Sequence, residues 1–295
     1  MRWRKLQWAL WAGLAVALFT SQARAQDLAD LPPPQGLGPG LTTGIEQARP
    51  YWRGSGPTRF FMAAQLELGA LYFRPNLQVG YGKPHFRWFG AETASSVTIN
   101  GTRYYAGLRG VLPNVGFRVG LRYEAPFQQH YVRRQYEYDR FELEEQGPGR
   151  GTYLAGEAEI DANWAAPGGS MLLVVSGYHI SGVPEQYNVW DINLKQVVEP
   201  PWLYRVRLGY LYHVGWLGSM RIGGAAEIIH IPLRRTAAVR AGPIVSVSLT
   251  HHLQAVAAVM LVARERDTLG VRGADLGQLG LVYRWATGDR FADFP

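Results

Sequence analysis

Glu157, Glu159 and Asp161 occupy alternate positions in the stretch TYLAGEAEIDANW, residues 152–164. Three carboxylates at this spacing suit a cation site, an acid/base pair, or one wetted face of an extended segment. On a strand they share a face at steps of roughly 6.6–6.8 Å. Calcium takes six to eight oxygens at about 2.3–2.6 Å, so one strand cannot close a site unless neighbours add oxygens. The polar positions of the other alternating segments are rich in arginine: Arg103, Arg109, Arg118, Arg122, Arg205, Arg207, Arg221 and Arg284. Pairing of acids with arginines is the plainer reading, and no metal ligand set is expected. His251 and His252 are adjacent, so on a strand they point to opposite faces, and a turn suits them better than a metal. In GYHISGVPEQYN, His179 and Ser181 share one strand face, with Glu185 and Asn188 further on.

The segments that carry these residues alternate with period two. RFFMAAQLELGALYF sets Phe60, Met62, Leu66 and Leu68 against Gln65 and Glu67. GFRVGLRYE sets Phe117, Val119, Leu121 and Tyr123 against Arg118, Arg122 and Glu124. WLYRVRLGYLYHVGW sets Tyr204, Val206, Leu208 and Tyr212 against Arg205, Arg207 and His213. Such alternation marks half-buried strands. Turn signals at 74–76, 100–101, 113–114, 147–149, 167–169, 200–201 and 217–219 cut the chain into about a dozen strands. The segments 128–151 and 184–201 read as long, wet hairpins.

The chain opens MRWRKLQWALWAGLAVALFTSQARAQ, with a basic start, a short apolar run and Ala23-Arg24-Ala25 before Gln26. Residues 1–25 therefore read as a signal peptide. No cysteine follows the cut, which excludes a lipoprotein, and no disulfide can staple the fold. The formal charge of +7 falls to +3 once the four cations of residues 1–25 are removed. That is too mild for a nucleic-acid partner. Residues 26–58 are rich in Pro and Gly without a sustained period and read as a flexible periplasmic segment able to dock protein partners. GLGPG there has no preceding strand and no Lys-Ser/Thr after it, so it is no phosphate loop.

Alternation alone suits a soluble sandwich too. Here the strands are long, their apolar faces end in Tyr or Trp, and mid-strand Arg, Glu and Gln sit on the opposite face. Lipid outside and a polar lumen inside accommodate all three features. On these residues, and on a final strand DLGQLGLVYRW, the chain resembles bacterial outer-membrane β-barrel (porin-like) proteins over about residues 59–286. The resemblance implies an all-β antiparallel transmembrane barrel of 12–14 strands, spanning 59–295, in the outer membrane of a Gram-negative cell. Such chains usually stop on a terminal aromatic, whereas here 286–295 continues, with Phe294 a candidate for that role.

The expected function is non-enzymatic and needs no cofactor: a narrow pore, or an outer-membrane anchor for an envelope-spanning assembly in transport, export or surface motility. A weaker resemblance lies in His179-x-Ser181, which is similar to the pairing of outer-membrane phospholipases and lipid A deacylases. It implies a His base, a Ser nucleophile and Asn188 or Glu185 as third member. The match departs from those families after the serine, where Ser181-Gly182-Val183 stands. An acyl hydrolase is the alternative. On the first reading Glu157, Glu159, Asp161, Arg118, Arg122, Arg205 and Arg207 line the lumen.

Overall fold

The computed structural model describes residues 57–287, apart from 85, 140, 145–148, 215–219, 251 and 270–274. The expected signal peptide, the Pro/Gly segment up to residue 56, His251 and Phe294 lie outside the described residues. In chain order the strands are β1 (Arg59–Gly69), β2 (Tyr72–Lys83), β3 (Arg87–Thr98), β4 (Gly101–Val111), β5 (Val115–Pro126) and β6 (Val132–Arg133). They continue with β7 (Tyr153–Ala166), β8 (Gly169–Ser181), β9 (Tyr187–Asp191), β10 (Gln196–Val198) and β11 (Trp202–Val214). The last four are β12 (Met220–Ile231), β13 (Thr236–Ser248), β14 (Leu253–Arg264) and β15 (Asp275–Ala286). Twelve of them close an antiparallel barrel in the order β1-β15-β14-β13-β12-β11-β8-β7-β5-β4-β3-β2. The remaining β10, β9 and β6 form a separate three-stranded sheet.

Closure follows from the alternation. Each barrel strand turns one face to the lumen and one outward, and β1 pairs β15 so that no edge is left open. The outward face is apolar, with Val119, Leu121, Val206, Leu208, Ile228 and Leu281 exposed along it. Aromatic rings bound that belt at both ends. Trp202, Tyr204, Tyr104 and Tyr123 ring one end, and Phe60, Tyr81, Phe89, Trp164 and Tyr212 ring the other. Tyr204 and Tyr212 are eight residues apart, about 20 Å vertically at the ~40° tilt of barrel strands. Water would not tolerate so wide an apolar belt, whereas a bilayer requires it. The chain is a multi-pass β-strand protein of the outer-membrane type. Leu208 lies midway between Tyr204 and Tyr212, so Leu208→Arg is expected to lower barrel stability in liposomes by roughly 2–4 kcal/mol. Denaturant unfolding in a bilayer checks this, and Leu208→Ile, which keeps an apolar side chain on the same face, serves as its control.

The connections are lopsided. At one end they span 70–71, 99–100, 127–152, 182–201, 232–235 and 265–274, and at the other 84–86, 112–114, 167–168, 215–219 and 249–252. All the long ones share an end, which by the usual asymmetry is the outer one.

Three sequence expectations need correction. The turn expected at 74–76 lies inside β2, and the chain reverses at 70–71 instead. Pro75 still opposes Leu66 of β1, but the β2–β3 pairing skips from Phe73↔Val97 to Asn76↔Ala94, so its missing N–H falls at a gap in that ladder. Of the two hairpins expected to be wet, 184–201 is largely buried, whereas 128–151 stays mostly exposed and buries only a few side chains such as Tyr131, Val132, Tyr138 and Leu143. Val132, Tyr138, Leu143, Trp190, Ile192, Val197 and Leu269 form one apolar cluster drawn from three long connections. Finally, the lumen is only partly polar. Leu172, Leu211, Ile244, Val256, Met260 and Val282 face inward over the inner half of β8 to β15. Phe61 and Trp88 meet edge to face on the opposite wall, ring centroids 5.4 Å apart. Strands such as β8 (GSMLLVVSGYHIS) read as continuous apolar runs because both their faces are dry.

Candidate functional site

Above the apolar inner half the lumen carries a band of paired charges. The β5–β7 register sets Arg118 opposite Glu159 and Gly120 opposite Glu157. From there Arg118 reaches both acids, bonding Glu157 through Nη2 and lying 3.5 Å from Glu159 Oε1 through Nε. Glu159 Oε2 also accepts from Arg205 Nη2 at 2.8 Å and from Ser176 Oγ at 2.6 Å. On the neighbouring strands Arg207 donates to Glu227 Oε2 at 2.9 Å through Nε, and Arg240 lies 3.6 Å from Glu227 Oε1. Arg109 lies 3.2 Å from Glu92, which also accepts from Asn76 Nδ2 at 2.6 Å. Each of these acids is buried and held by at least one guanidinium, which is what a carboxylate removed from bulk water requires. Asp161 faces the same lumen, but its Oδ2 has no hydrogen-bond partner. Glu157 and Glu159 thus share Arg118 while Asp161 stands apart, and among the described residues the three carboxylates form no metal-holding group.

Higher in the lumen, the turn between β9 and β10 is folded inward and fastened from three strands. Asp191 Oδ2 accepts from Arg122 Nη2 of β5 at 2.9 Å and from the Tyr153 hydroxyl of β7 at 2.8 Å. Its Oδ1 accepts the backbone N–H groups of Asn193 at 2.9 Å and Leu194 at 2.8 Å. From the opposite wall Arg240 of β13 donates to the carbonyls of Leu194 at 2.6 Å and Lys195 at 2.8 Å. Lys195 takes a left-handed φ of 52°, a conformation the surrounding bonds must hold. The wall at Gly101 has room for no side chain, because a Cβ there would lie 2.7 Å from the Ala125 carbonyl oxygen and from Pro126 Cα of β5, with Ile192 Cδ1 of the turn at 2.9 Å. Burial works to raise the Asp191 carboxyl, yet Arg122, the Leu194 N–H and the Tyr153 hydroxyl outweigh it and hold it below the usual carboxylate range.

Beside this turn a cavity of about 70 Å³ crosses the lumen, lined by Arg74, Glu92 and Arg103 from one wall, by Glu157, Arg205 and Glu227 from the other, and by Asn193 and Leu194 of the turn. That holds a handful of waters or one small ion.

The mouth is closed over by the remaining long connections. Arg234 of the β12–β13 turn donates to both oxygens of Asp267, at 2.7 and 2.6 Å, and to the Val197 carbonyl at 3.1 Å. The Tyr138 N–H is donated to Asp267 Oδ1 at 3.1 Å. Beside them the Glu265 carboxylate is buried next to the side chain of Gln196. Burial is the main cause that pushes the Glu265 carboxyl up to about 7. Asp267 adds to the rise, while Arg240 and Arg234 oppose it. A carboxyl raised on folding favours the closed mouth while protonated, and that contribution is lost as pH rises through about 7. Cleavage of the outer connections by added protease is therefore expected to speed up between pH 5.5 and 8.5, and Glu265→Gln to flatten that profile.

The alternative catalytic group is not assembled. His179 and Ser181 lie on the outward face of β8, where the imidazole packs edge-on against Trp202 with centroids 4.7 Å apart. Ser181 Oγ donates to the Leu154 carbonyl at 3.2 Å. Asn188 is buried in the closed mouth, donating to the Tyr138 hydroxyl at 2.8 Å. Among the described residues no hydrogen bond joins any two of the three. At the 249–252 turn His252 Nδ1 lies 2.9 Å from the Arg284 carbonyl.

Several residues that shape the site had no sequence signal. Asp191, Arg240, Arg234 and Asp267 sit in connections or on strands without clear alternation, and only Asp191-x-Asn193 hinted at a tight turn.

No protein-family model matches this sequence, and no curated protein does. Among solved structures, a KdgM porin in complex with disordered oligogalacturonate is similar at a TM-score of 0.40 and 11% identity, covering 76% of this chain and 98% of that one. A NanC porin aligns at 0.34 and 13% identity, over 77% and 97%. OmpT, an outer membrane protein of Vibrio cholerae, aligns at 0.34 and 6% identity, over 78% and 99%. At such scores these likenesses say nothing of cargo, and the assignment of this chain as an outer-membrane-type β-barrel rests on its own closed strand pairing and apolar belt.

Proposed function

We propose that the protein is a narrow outer-membrane pore for ions and small solutes, constricted by its own 191–195 turn. The observation that carries this is the fastening of that turn inside a charge-lined lumen, beside a cavity that reaches the wall of β1 to β4. Barrels of about eight strands are filled by side chains and those of 16–18 leave a wide channel, so twelve strands with a folded-in turn suit small conductance. Paired charges favour partly hydrated ions over bulky apolar solutes, whose passage would strip the ion pairs of water without replacing it.

Purified full-length protein in planar bilayers tests the reading. Small, uniform single-channel steps support it. Silence under all voltages and salts removes the pore and leaves a barrel that serves as an anchor for envelope partners, docking through residues 26–58. The two roles also separate in a pull-down from envelope extracts, where deletion of 26–58 changes the partner set only if the segment docks.

A further inference from the structure

We propose that the outer lumen holds a binding site for one small oxyanion, centred on Arg103 and completed by Arg74. The inference concerns binding and stands whether or not the barrel conducts.

Arg103 differs from its neighbours around the cavity. Arg74, Arg109, Arg118, Arg122, Arg205, Arg207 and Arg240 each hold a carboxylate, at Glu67, Glu92, Glu157, Asp191, Glu159 and Glu227. Arg103, half-buried on β4, forms no hydrogen bond and no ion pair among the described residues. Its cross-strand neighbours explain why. On β3 it faces Ser96, and on β5 it faces Glu124. The Glu124 carboxylate lies 3.5 Å from Arg122 instead, two residues along the same strand. Arg103 therefore presents an unused five-donor fork to the cavity that it lines.

Arg74 lines the same cavity two strands away. One of its nitrogens holds Glu67 at 3.0 Å, but its Nε is buried without a partner. A buried donor left unmatched costs free energy that an arriving acceptor restores. The wall between them is short-sided at the outer end, because β1–β2 and β3–β4 are joined by the two-residue links 70–71 and 99–100. The rim is thus lowest on the side where these two arginines stand, while the long connections rise from the other side.

The cavity of about 70 Å³ admits a group the size of phosphate or a short carboxylate. Planar guanidinium forks match the oxygens of either, and a cation is rejected by Arg74, Arg103, Arg118 and Arg122 together. The nearby acids are already held, Glu67 by Arg74 and Glu157 by Arg118 and Arg122. Glu92 and Glu227 also line the cavity and are held by Arg109 and by Arg207 with Arg240, while Glu124, outside the lining but across the strand pair from Arg103, is the nearest competitor for its guanidinium.

Detergent-solubilised full-length protein, titrated by calorimetry with inorganic phosphate and separately with acetate, tests the site. Saturable binding of one anion per chain is expected, weakened about tenfold or more by Arg103→Gln and partly retained by Arg103→Lys. Glu124→Gln, which removes the neighbouring negative charge, is expected to bind as tightly as wild type or more so. Heat-modifiable electrophoretic mobility confirms that each variant keeps its barrel. Binding of phosphate alone marks a phosphate site, and binding of both probes marks a general oxyanion site. Absence of saturable binding by wild type, or equal loss in Arg103→Gln and Glu124→Gln, overturns the proposal.

Discussion

Replacing Asp191 with alanine is expected to raise single-channel conductance severalfold and to expose the 182–201 connection to protease. Four hydrogen bonds meet on this one buried side chain: two from the barrel wall, through Arg122 and Tyr153, and two from its own turn, through the Asn193 and Leu194 N–H groups. Alanine keeps the backbone but removes every acceptor at once. Breaking a buried pair by deleting one partner costs about 3–5 kcal/mol, and Arg122 recovers part of this from Glu124 and Glu157. A docking loss of even ~3 kcal/mol shifts the population of the inward turn by about a hundredfold or more. Asp191→Asn retains the shape and one acceptor oxygen, so an intermediate conductance is expected. Unchanged conductance and protection in Asp191→Ala would show that the turn does not constrict the lumen.

The second large effect is expected for Glu159→Gln, and it falls on the barrel rather than on the turn. Glu159 bridges β7 to β5 through Arg118, to β8 through Ser176, and to β11 through Arg205. Glutamine fills the same volume but leaves two guanidinia short of a countercharge in a site with almost no exposure. A loss of roughly 3 kcal/mol in unfolding free energy is expected. Ser176→Ala, which removes one neutral donor, should cost about 1 kcal/mol. Urea or guanidinium titrations in liposomes read both. Equal effects would mean that the charge on Glu159 adds nothing beyond its hydrogen bonds, as when lumen water screens the pairs.

Much of the architecture was legible from the residues in order. Side assignment along a strand is local, since consecutive side chains alternate whatever the neighbours are. That is why Glu157, Glu159, Asp161, Arg118, Arg122, Arg205 and Arg207 are expected on one face from the order of residues alone, and the aromatic ends of TYLAGEAEIDANW and WLYRVRLGYLYHVGW on the other. The strand count followed from turn residues, with one misreading at Pro75, where a proline that usually signals a turn sits at a gap in a ladder.

Partner choice was not legible. Arg118 meets Glu157 across 39 residues of chain, and Arg122 meets Asp191 across 69, with the register of β5 against β7 deciding the first and an inward fold of the β9–β10 turn the second. The long connections looked wet because their polar residues are frequent. Yet charges such as Arg234 and Asp267 find each other only once three separate connections meet over the lumen. The apolar inner half of the lumen was hidden for a related reason: strands dry on both faces lose the alternation that reveals which face is which.

The sequence by itself thus determined that this chain alternates, that lipid lies outside, and which side chains point inward. Closure of the twelve strands decided which acid arginines such as Arg118, Arg122, Arg205 and Arg207 hold, that Arg103 bonds none among the described residues, and that Asp191 pins a turn into the lumen. The first set depends on neighbours along the chain, and the second on distances across a barrel that do not exist until it closes.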